Sequence, residues 1–179
     1  MVALGESVVN NFLDDLRFSH NAEDLPIWRE CYAQWFPGHV ACTSHRADGQ
    51  WQRLGVDRSI VLASGVQQRI DEKVRRKNYG DIALEVVAND RTNAPGWVRK
   101  ALVADYIAYA VLPLGRAFLL PVVQLQLAWS RHGEAWMEAY SPVRAPNPGY
   151  TTISCPVPVP VLFAAIGGCL RASFRPVAS

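Results

Sequence analysis

Residues 55–85, GVDRSIVLASGVQQRIDEKVRRKNYGDIALE, form the stretch that decides the fold. Three short apolar runs lie in this stretch or begin in it, at residues 59–63, 66–70 and 82–88. Ser64 and Gly65 separate the first two runs and are typical of a tight turn, so these runs predict a β-hairpin. Because so short a connection joins only antiparallel strands, we expect an α/β fold whose central sheet is mixed and mostly antiparallel.

Charged side chains stand at the ends of these runs. Asp57 precedes the first run, Asp71, Glu72 and Lys73 follow the second, and Glu85 lies inside the third. Because side chains alternate between the two faces of a strand, Asp71 and Lys73 share one face and Glu72 points to the other. Two acids and a lysine held together make a poor core, but they suit a divalent cation bound against a phosphate.

The pattern Gly-Val-Asp, then 13 residues, then Asp-Glu-Lys resembles the PD-(D/E)XK nuclease superfamily, which has the restriction-endonuclease-like fold. In that family an Asp lies near the start of one strand and an acid-x-Lys motif lies on the next. The matching positions here are Asp57, Asp71 and Lys73, and Val56 stands where the family's proline would be. The wider run looks like small phage-encoded members, which implies a central sheet flanked by helices.

The resemblance also implies a function, the hydrolysis of phosphodiester bonds with Mg²⁺ or Mn²⁺. Asp57 and Asp71 would bind the metal, and Glu72 would add its backbone carbonyl as a further ligand. Lys73 would orient the attacking water or stabilise negative charge in the transition state. Glu85, expected on the adjacent strand, would ligate through water or complete a second site.

An early helix supplies one more candidate acid. Asp24 as N-cap and Pro26 in the first turn predict a helix that runs to about Phe36. Glu30 is the acid in its interior. Many relatives of this fold add an acid from an early helix, so Glu30 is a candidate ligand, with a solvated surface position as the alternative.

The basic residues favour nucleic acid as a partner, with DNA expected first and RNA left open. Residues 46–100 carry 11 basic and 7 acidic side chains, although the whole chain has a net charge of only +2. Arg75, Arg76 and Lys77 are consecutive and would suit a loop that follows the phosphate backbone, the alternative being an ordinary solvated turn.

Length and composition fit one domain over residues 1–179, since the chain is half apolar and long enough for a substantial core. No signal sequence or membrane span is expected, because the most apolar stretch, residues 104–129, contains two prolines and an arginine. Four cysteines without CxxC spacing predict free thiols in the cytoplasm, of a host cell if the chain is phage-encoded. The oligomeric state is open, a homodimer included.

The rest of the chain predicts further elements around the hairpin. Helices are expected at residues 6–19, 24–36, 96–101, 121–132 and 159–170, and strands at residues 39–45, 106–112, 117–120 and 151–155. Residues 134–150 show no clear period and are expected to form a long excursion or lid.

Two other functions fit the same sequence. One is a protein of this fold that binds nucleic acid without cleaving it, which the intact acid-x-Lys motif argues against. The other is a phage structural or assembly protein, which the Pro-rich and aromatic C-terminal half would permit. No P-loop, Rossmann glycine pattern, HExxH or GxSxG motif occurs, so nucleotide-dependent and triad chemistry lack support.

Overall fold

A computed structural model of the chain describes residues 26–177. The helix predicted at residues 6–19 and the proposed N-cap Asp24 lie outside the described residues. Within the described range, no helix is both long and apolar enough to cross a membrane. The four cysteines are free thiols, as their spacing predicted.

Ten strands and four α-helices make up the described part of the chain. In chain order the strands are β1 (Ala41–Ser44), β2 (Arg58–Val61), β3 (Gln67–Arg75), β4 (Asp81–Asn89), β5 (Ala94–Pro95), β6 (Tyr106–Val111), β7 (Arg116–Pro121), β8 (Val143–Asn147), β9 (Tyr150–Pro158) and β10 (Leu170–Ser173). The α-helices are α1 (Ile27–Trp35), α2 (Gly49–Arg53), α3 (Val122–Ala139) and α4 (Val159–Ile166), and a 3₁₀ turn spans Leu112–Leu114.

The strands form two sheets. The larger has six strands in the order β1-β2-β3-β6-β7-β10, and the smaller has four in the order β5-β4-β9-β8. Neighbouring strands are antiparallel throughout both sheets except for β3 and β6, which are parallel. The structure therefore confirms the expected class, an α/β fold with a mixed, mostly antiparallel sheet and packed helices.

The predicted hairpin is present as β2 and β3. Arg58 pairs with Ile70 at the base of the hairpin, and Gly65 adopts a left-handed φ of 83° in the turn. Glycine suits this position because it has no Cβ atom to clash in that conformation. Just before the paired segment, Asp57 still donates its backbone N–H to the Ile70 carbonyl at 2.9 Å, so the hairpin itself holds Asp57 beside the start of the Asp71–Lys73 motif.

The third apolar run forms a strand, β4, but its expected place beside the hairpin was wrong. Strand β4 pairs with β5 and β9 in the smaller sheet, and β6 is the strand that lies next to β3. Parallel strands need a long crossover between them. In this chain the segment that contains β4 and β5 provides that crossover and builds part of the second sheet.

The two faces of the larger sheet bury separate cores. Helix α1 covers one face with a row of aromatic side chains, and the smaller sheet together with α3 and α4 covers the other. Strand β6 is buried on both faces: Ala108 and Ala110 belong to the core that contains the α1 side chains, while Ile107 and Tyr109 belong to the opposite core. Small residues beneath α1 leave room for its large rings, which is how close packing is achieved.

Several predicted boundaries differ from the structure. Residues 96–101 form turns rather than the expected helix, and α3 continues past residue 132 to Ala139. The predicted excursion at residues 134–150 therefore includes the end of α3 and strand β8. Helix α4 ends at Ile166, where Gly167 adopts a left-handed φ of 74° as its C-cap, and β10 follows as an unpredicted strand.

Candidate active site

A cleft of about 550 Å³ opens where β3 of the larger sheet meets β4 and β9 of the smaller one. Asp57, Asp71, Lys73 and Glu85 all line this cleft, so the structure brings these four sequence-predicted residues together. The three hairpin residues lie on one wall, and Glu85 lies on the other. The cleft is therefore the natural candidate for a functional site.

Hydrogen bonds from the chain fix the carboxylate of Asp57 on both oxygens. The backbone N–H of Glu72 donates to Oδ2 at 2.7 Å, and the Gln52 side-chain amide donates to Oδ1 at 3.0 Å. Burial alone would raise the pKa of Asp57, but the Glu72 N–H and the nearby charges of Arg46 and Lys73 outweigh burial and lower it. Asp57 is therefore an ionised carboxylate with a fixed orientation.

Asp71 and Lys73 share one face of β3, as strand alternation predicted. Nζ of Lys73 donates to Oδ1 of Asp71 at 2.5 Å. Burial, opposed by the Lys73 ammonium and reinforced by the charge of Asp57, raises the pKa of Asp71 to about 6. Burial would lower the pKa of Lys73, but Asp71, with smaller contributions from Asp57 and Glu85, raises it. Lys73 is therefore an ammonium group at neutral pH and can only donate hydrogen bonds.

Glu72 points to the opposite face of β3 into a buried cluster of charges, and this too agrees with strand alternation. Oε1 of Glu72 accepts hydrogen bonds from the Tyr32 hydroxyl at 2.5 Å and from Nε of Arg58 at 2.7 Å, and Oε2 accepts from Arg46 at 2.5 Å. The carboxylate is fully buried. Its oxygens are committed to these partners, so the backbone carbonyl is the part of Glu72 that remains for a metal.

Glu85 reaches the cleft from the smaller sheet, where it pairs with Ser154 of β9 just before an irregularity in the register of β4. Gly96 packs directly on its backbone: a Cβ atom there would lie 2.2 Å from the Glu85 carbonyl oxygen. Gly96 donates its N–H to Val86, and Val98 donates to the Glu85 carbonyl at 3.2 Å. A glycine is thus required for the loop that follows β5 to support Glu85.

The three basic residues at positions 75–77, predicted to form a loop, differ in their exposure and contacts. Arg75 is the last residue of β3, lines the cleft, contacts Asp81 at 3.4 Å and lies over the ring of Tyr79. Arg76 is half-buried beside it, and Lys77 is exposed. Of the three, Arg75 is therefore the one that the structure sets in the wall of the cleft.

The remaining candidate acid, Glu30, is exposed on α1 and is not among the described residues that line the cleft. Sequence reasoning missed other cleft residues, among them the polar residues Arg46, Gln52 and Lys100. Gln52 is the one that the sequence could have indicated. It lies on the short helix α2, whose N-cap is Asp48, and it precedes Asp57 by five residues.

The donor set fits a hard divalent cation bound in an open site. In residues 26–177 no three His, Cys, Asp or Glu side chains are grouped so as to hold a metal. Glu85 therefore does not join Asp57 and Asp71 in a closed cage. Mg²⁺ does not need such a cage, since it is commonly bound by one or two carboxylates with waters and substrate phosphate oxygens. Two adjacent carboxylates at the base of a cleft satisfy that requirement.

Comparison of the chain with family models, with curated proteins and with solved structures gives no match.

Replacing Glu72 with Ala should destabilise the fold by about 3–5 kcal/mol, because it removes a fully buried carboxylate and leaves Arg46 and Arg58, both partly buried, without the anion they share. Chemical denaturation at pH 7 measures this loss. Glu138→Ala, at an exposed acid of α3, is the control and should change stability by less than about 0.5 kcal/mol. Equal effects of the two substitutions would contradict the structural role of Glu72.

The raised pKa of Asp71 predicts an unusual dependence of stability on pH. The native state binds this proton more tightly than the unfolded chain, so the Asp71 contribution is greatest below pH 3.8 and is lost as pH rises through about 6. The stability of the wild type minus that of Asp71→Asn should fall over this window, by on the order of 3 kcal/mol.

Asp57→Asn is the matched control, because the contribution of Asp57 to stability should change with pH in the opposite direction. Because the pKa of Asp57 is lowered, its contribution is present above its ordinary value of 3.8 and is lost as pH falls further. Urea denaturation of the three proteins from pH 3 to pH 7 measures both differences. Parallel curves for the two variants would refute the assigned pKa directions.

Proposed function

We propose that this chain is a metal-dependent nuclease of the PD-(D/E)XK type that hydrolyses phosphodiester bonds of nucleic acid, with DNA as the first substrate to test. The observation that carries the proposal is the grouping of Asp57, Asp71 and Lys73 on one wall of a single cleft. The strand alternation that the motif requires is present, since Lys73 and Asp71 are in contact and Glu72 faces away.

The proposal extends to the fold type. An Asp just before β2 and an acid-x-Lys motif on β3 agree with the arrangement that the family resemblance implies. The place of β4 in a separate sheet is this chain's own feature, and it adds a second wall that carries Glu85. A cytoplasmic location and a phage origin are parts of the same proposal.

Asp57 and Asp71 would hold Mg²⁺ or Mn²⁺, with the carbonyl of Glu72 as a further oxygen donor. Such a cation lowers the pKa of a bound water and offsets the charge that builds up on the phosphate. The chain prepares Asp57 for this task, since the Glu72 N–H and Gln52 fix its orientation. For Asp71, burial raises the pKa, and the ammonium of Lys73 offsets part of this rise.

Lys73 supplies a positive charge beside the position where the scissile phosphate would bind. Hydrolysis adds water oxygen to phosphorus and breaks one P–O ester bond, so negative charge increases on the phosphate oxygens in the transition state. A cation that is already in position stabilises this charge without reorganisation. Because its pKa is raised, Lys73 acts by charge and hydrogen bonding, and not as a base.

Purified protein should therefore cleave nucleic acid in the presence of Mg²⁺ or Mn²⁺ and lose this activity with EDTA. A panel of linear, circular, branched and single-stranded DNA and of RNA identifies the substrate. Binding without cleavage on the whole panel would favour the non-catalytic alternative, and absence of both would favour a structural or assembly role.

Lys73→Ala should lower the cleavage rate by about 10²–10³, because the lost charge acts mainly in the transition state. Nucleic-acid affinity should change little, and thermal melting checks that the variant remains folded. Lys73→Arg should restore only part of the rate, since a planar guanidinium places its charge differently from a compact ammonium. An alanine variant with full activity and an unchanged fold would rule out the role given to Lys73.

Metal binding is expected to need both carboxylates of the pair. Isothermal titration of the wild type with Mn²⁺ should detect one or two sites, and Asp57→Ala and Asp71→Ala should each remove the heat signal, because a single carboxylate holds the ion weakly. Glu138→Ala serves as the control with an acid removed from an exposed helix. Undiminished titration of both aspartate variants would show that the metal lies elsewhere.

A further inference from the structure

We propose that Lys100 is a second phosphate-binding lysine of the cleft, one that contacts a phosphate other than the one being cleaved. This inference rests on the proposed nuclease function and names the class of substrate that the site is built for. The substrate would be an oligonucleotide or polynucleotide, held at two phosphates, and not an isolated phosphodiester.

The position of Lys100 places its charge near the acid pair. Lys100 lines the cleft, and its Nζ lies 4.0 Å from where a Cβ atom on Gly55 would be. Gly55 precedes Asp57 by two residues, which limits their Cα separation to about 7 Å. The ammonium therefore lies beside the turn that leads into Asp57, and it enters the cleft from the loop after β5, whereas Lys73 enters it from β3.

The backbone of Lys100 is held on both of its polar groups. Its N–H donates to the Gly96 carbonyl at 2.9 Å, and its carbonyl accepts from the Gln126 side chain at 2.7 Å. Gly96 in turn packs against Glu85. The base of the side chain is thus anchored to both β4 and α3, so the ammonium group is presented from a rigid loop.

The charges of the cleft leave Lys100 available for a ligand. Four cations line it, and three of them are in ion pairs: Arg46 with Glu72 at 2.5 Å, Lys73 with Asp71 at 2.5 Å and Arg75 with Asp81 at 3.4 Å. Among residues 26–177, Lys100 is the cleft cation for which no carboxylate lies within ion-pair distance. A half-buried cation in this setting is suited to an anionic group supplied from outside.

Arg99 provides a matched control from the same loop. It is adjacent to Lys100, carries the same charge and is exposed, but it lines a different cavity, of about 490 Å³, together with Trp129 and Met137 of α3. Removing Arg99 changes the net charge as much as removing Lys100 does, yet it leaves the cleft unchanged. Comparing the two substitutions therefore distinguishes the loss of a specific phosphate contact from a general loss of positive charge.

The first test is the binding of a labelled 20-nucleotide oligonucleotide to Lys100→Gln, Arg99→Gln and the wild type, without divalent metal and over a range of salt concentrations. Lys100→Gln should bind several-fold more weakly, and the slope of log affinity against log salt should be shallower by about 1, because one phosphate contact is lost. Arg99→Gln should match the wild type. Thermal melting checks that each variant is folded, and Lys100→Arg should keep most of the affinity.

The second test compares two substrates. With Mg²⁺ or Mn²⁺, Lys100→Gln should raise KM for the oligonucleotide several-fold more than KM for bis(p-nitrophenyl) phosphate, a single phosphodiester. Lys73→Ala should impair both. Wild-type affinity and KM in folded Lys100→Gln, or equal losses on both substrates, would overturn the role of Lys100 and leave the nuclease proposal standing. A wild type that neither binds nor cleaves nucleic acid would overturn both.

Discussion

The carboxylate of Glu72, buried among Tyr32, Arg46 and Arg58, is the interaction on which the rest of the site depends. Its partners come from α1, from the turn before α2 and from β2, so one side chain of β3 ties three neighbouring elements to the strand. A buried anion is tolerated only when its charge and its hydrogen-bonding capacity are satisfied, and two guanidinium groups and a phenol do both. Because the Glu72 side chain is fixed on one face, Asp71 and Lys73 are fixed on the other, and the Glu72 N–H is set to hold Asp57.

The same arrangement shifts the pKa values of the two acids of the cleft, Asp57 and Asp71, in opposite directions. Asp57 receives hydrogen bonds and faces cations, which lowers its pKa, whereas Asp71 is more deeply buried beside a like charge, which raises its pKa to about 6. Neighbouring titratable groups whose pKa values are pushed apart are characteristic of functional sites, because burial and like charge cost stability. Two ionised carboxylates in contact repel each other, which is consistent with the cation proposed for this site.

Much of the hairpin and of the site wall it carries could be predicted from sequence, because both follow from local rules. A tight turn at Ser64 and Gly65 fixes antiparallel pairing, and alternation then assigns Asp71 and Lys73 to one face. Contacts between distant residues could not be predicted. No local sequence pattern indicates that β4 belongs to a second sheet. The same is true of the hydrogen bond from Tyr32 to a residue 40 positions later and of the position of Lys100 in the cleft. The sequence predicts a helix that includes Gly96, because it does not indicate that β4 lies close enough for Gly96 to pack on the Glu85 carbonyl.

The division of the cleft between two sheets also bears on the order in which the chain can fold. The hairpin closes a loop of only a few residues, so the acid pair can come together early and at little entropic cost. The opposite wall needs β9, which begins at Tyr150, to pair with β4, which ends at Asn89. Such non-local pairing is slow, and during synthesis it must wait until most of the chain has left the ribosome. The cleft therefore cannot be complete before β9 is available to pair with β4.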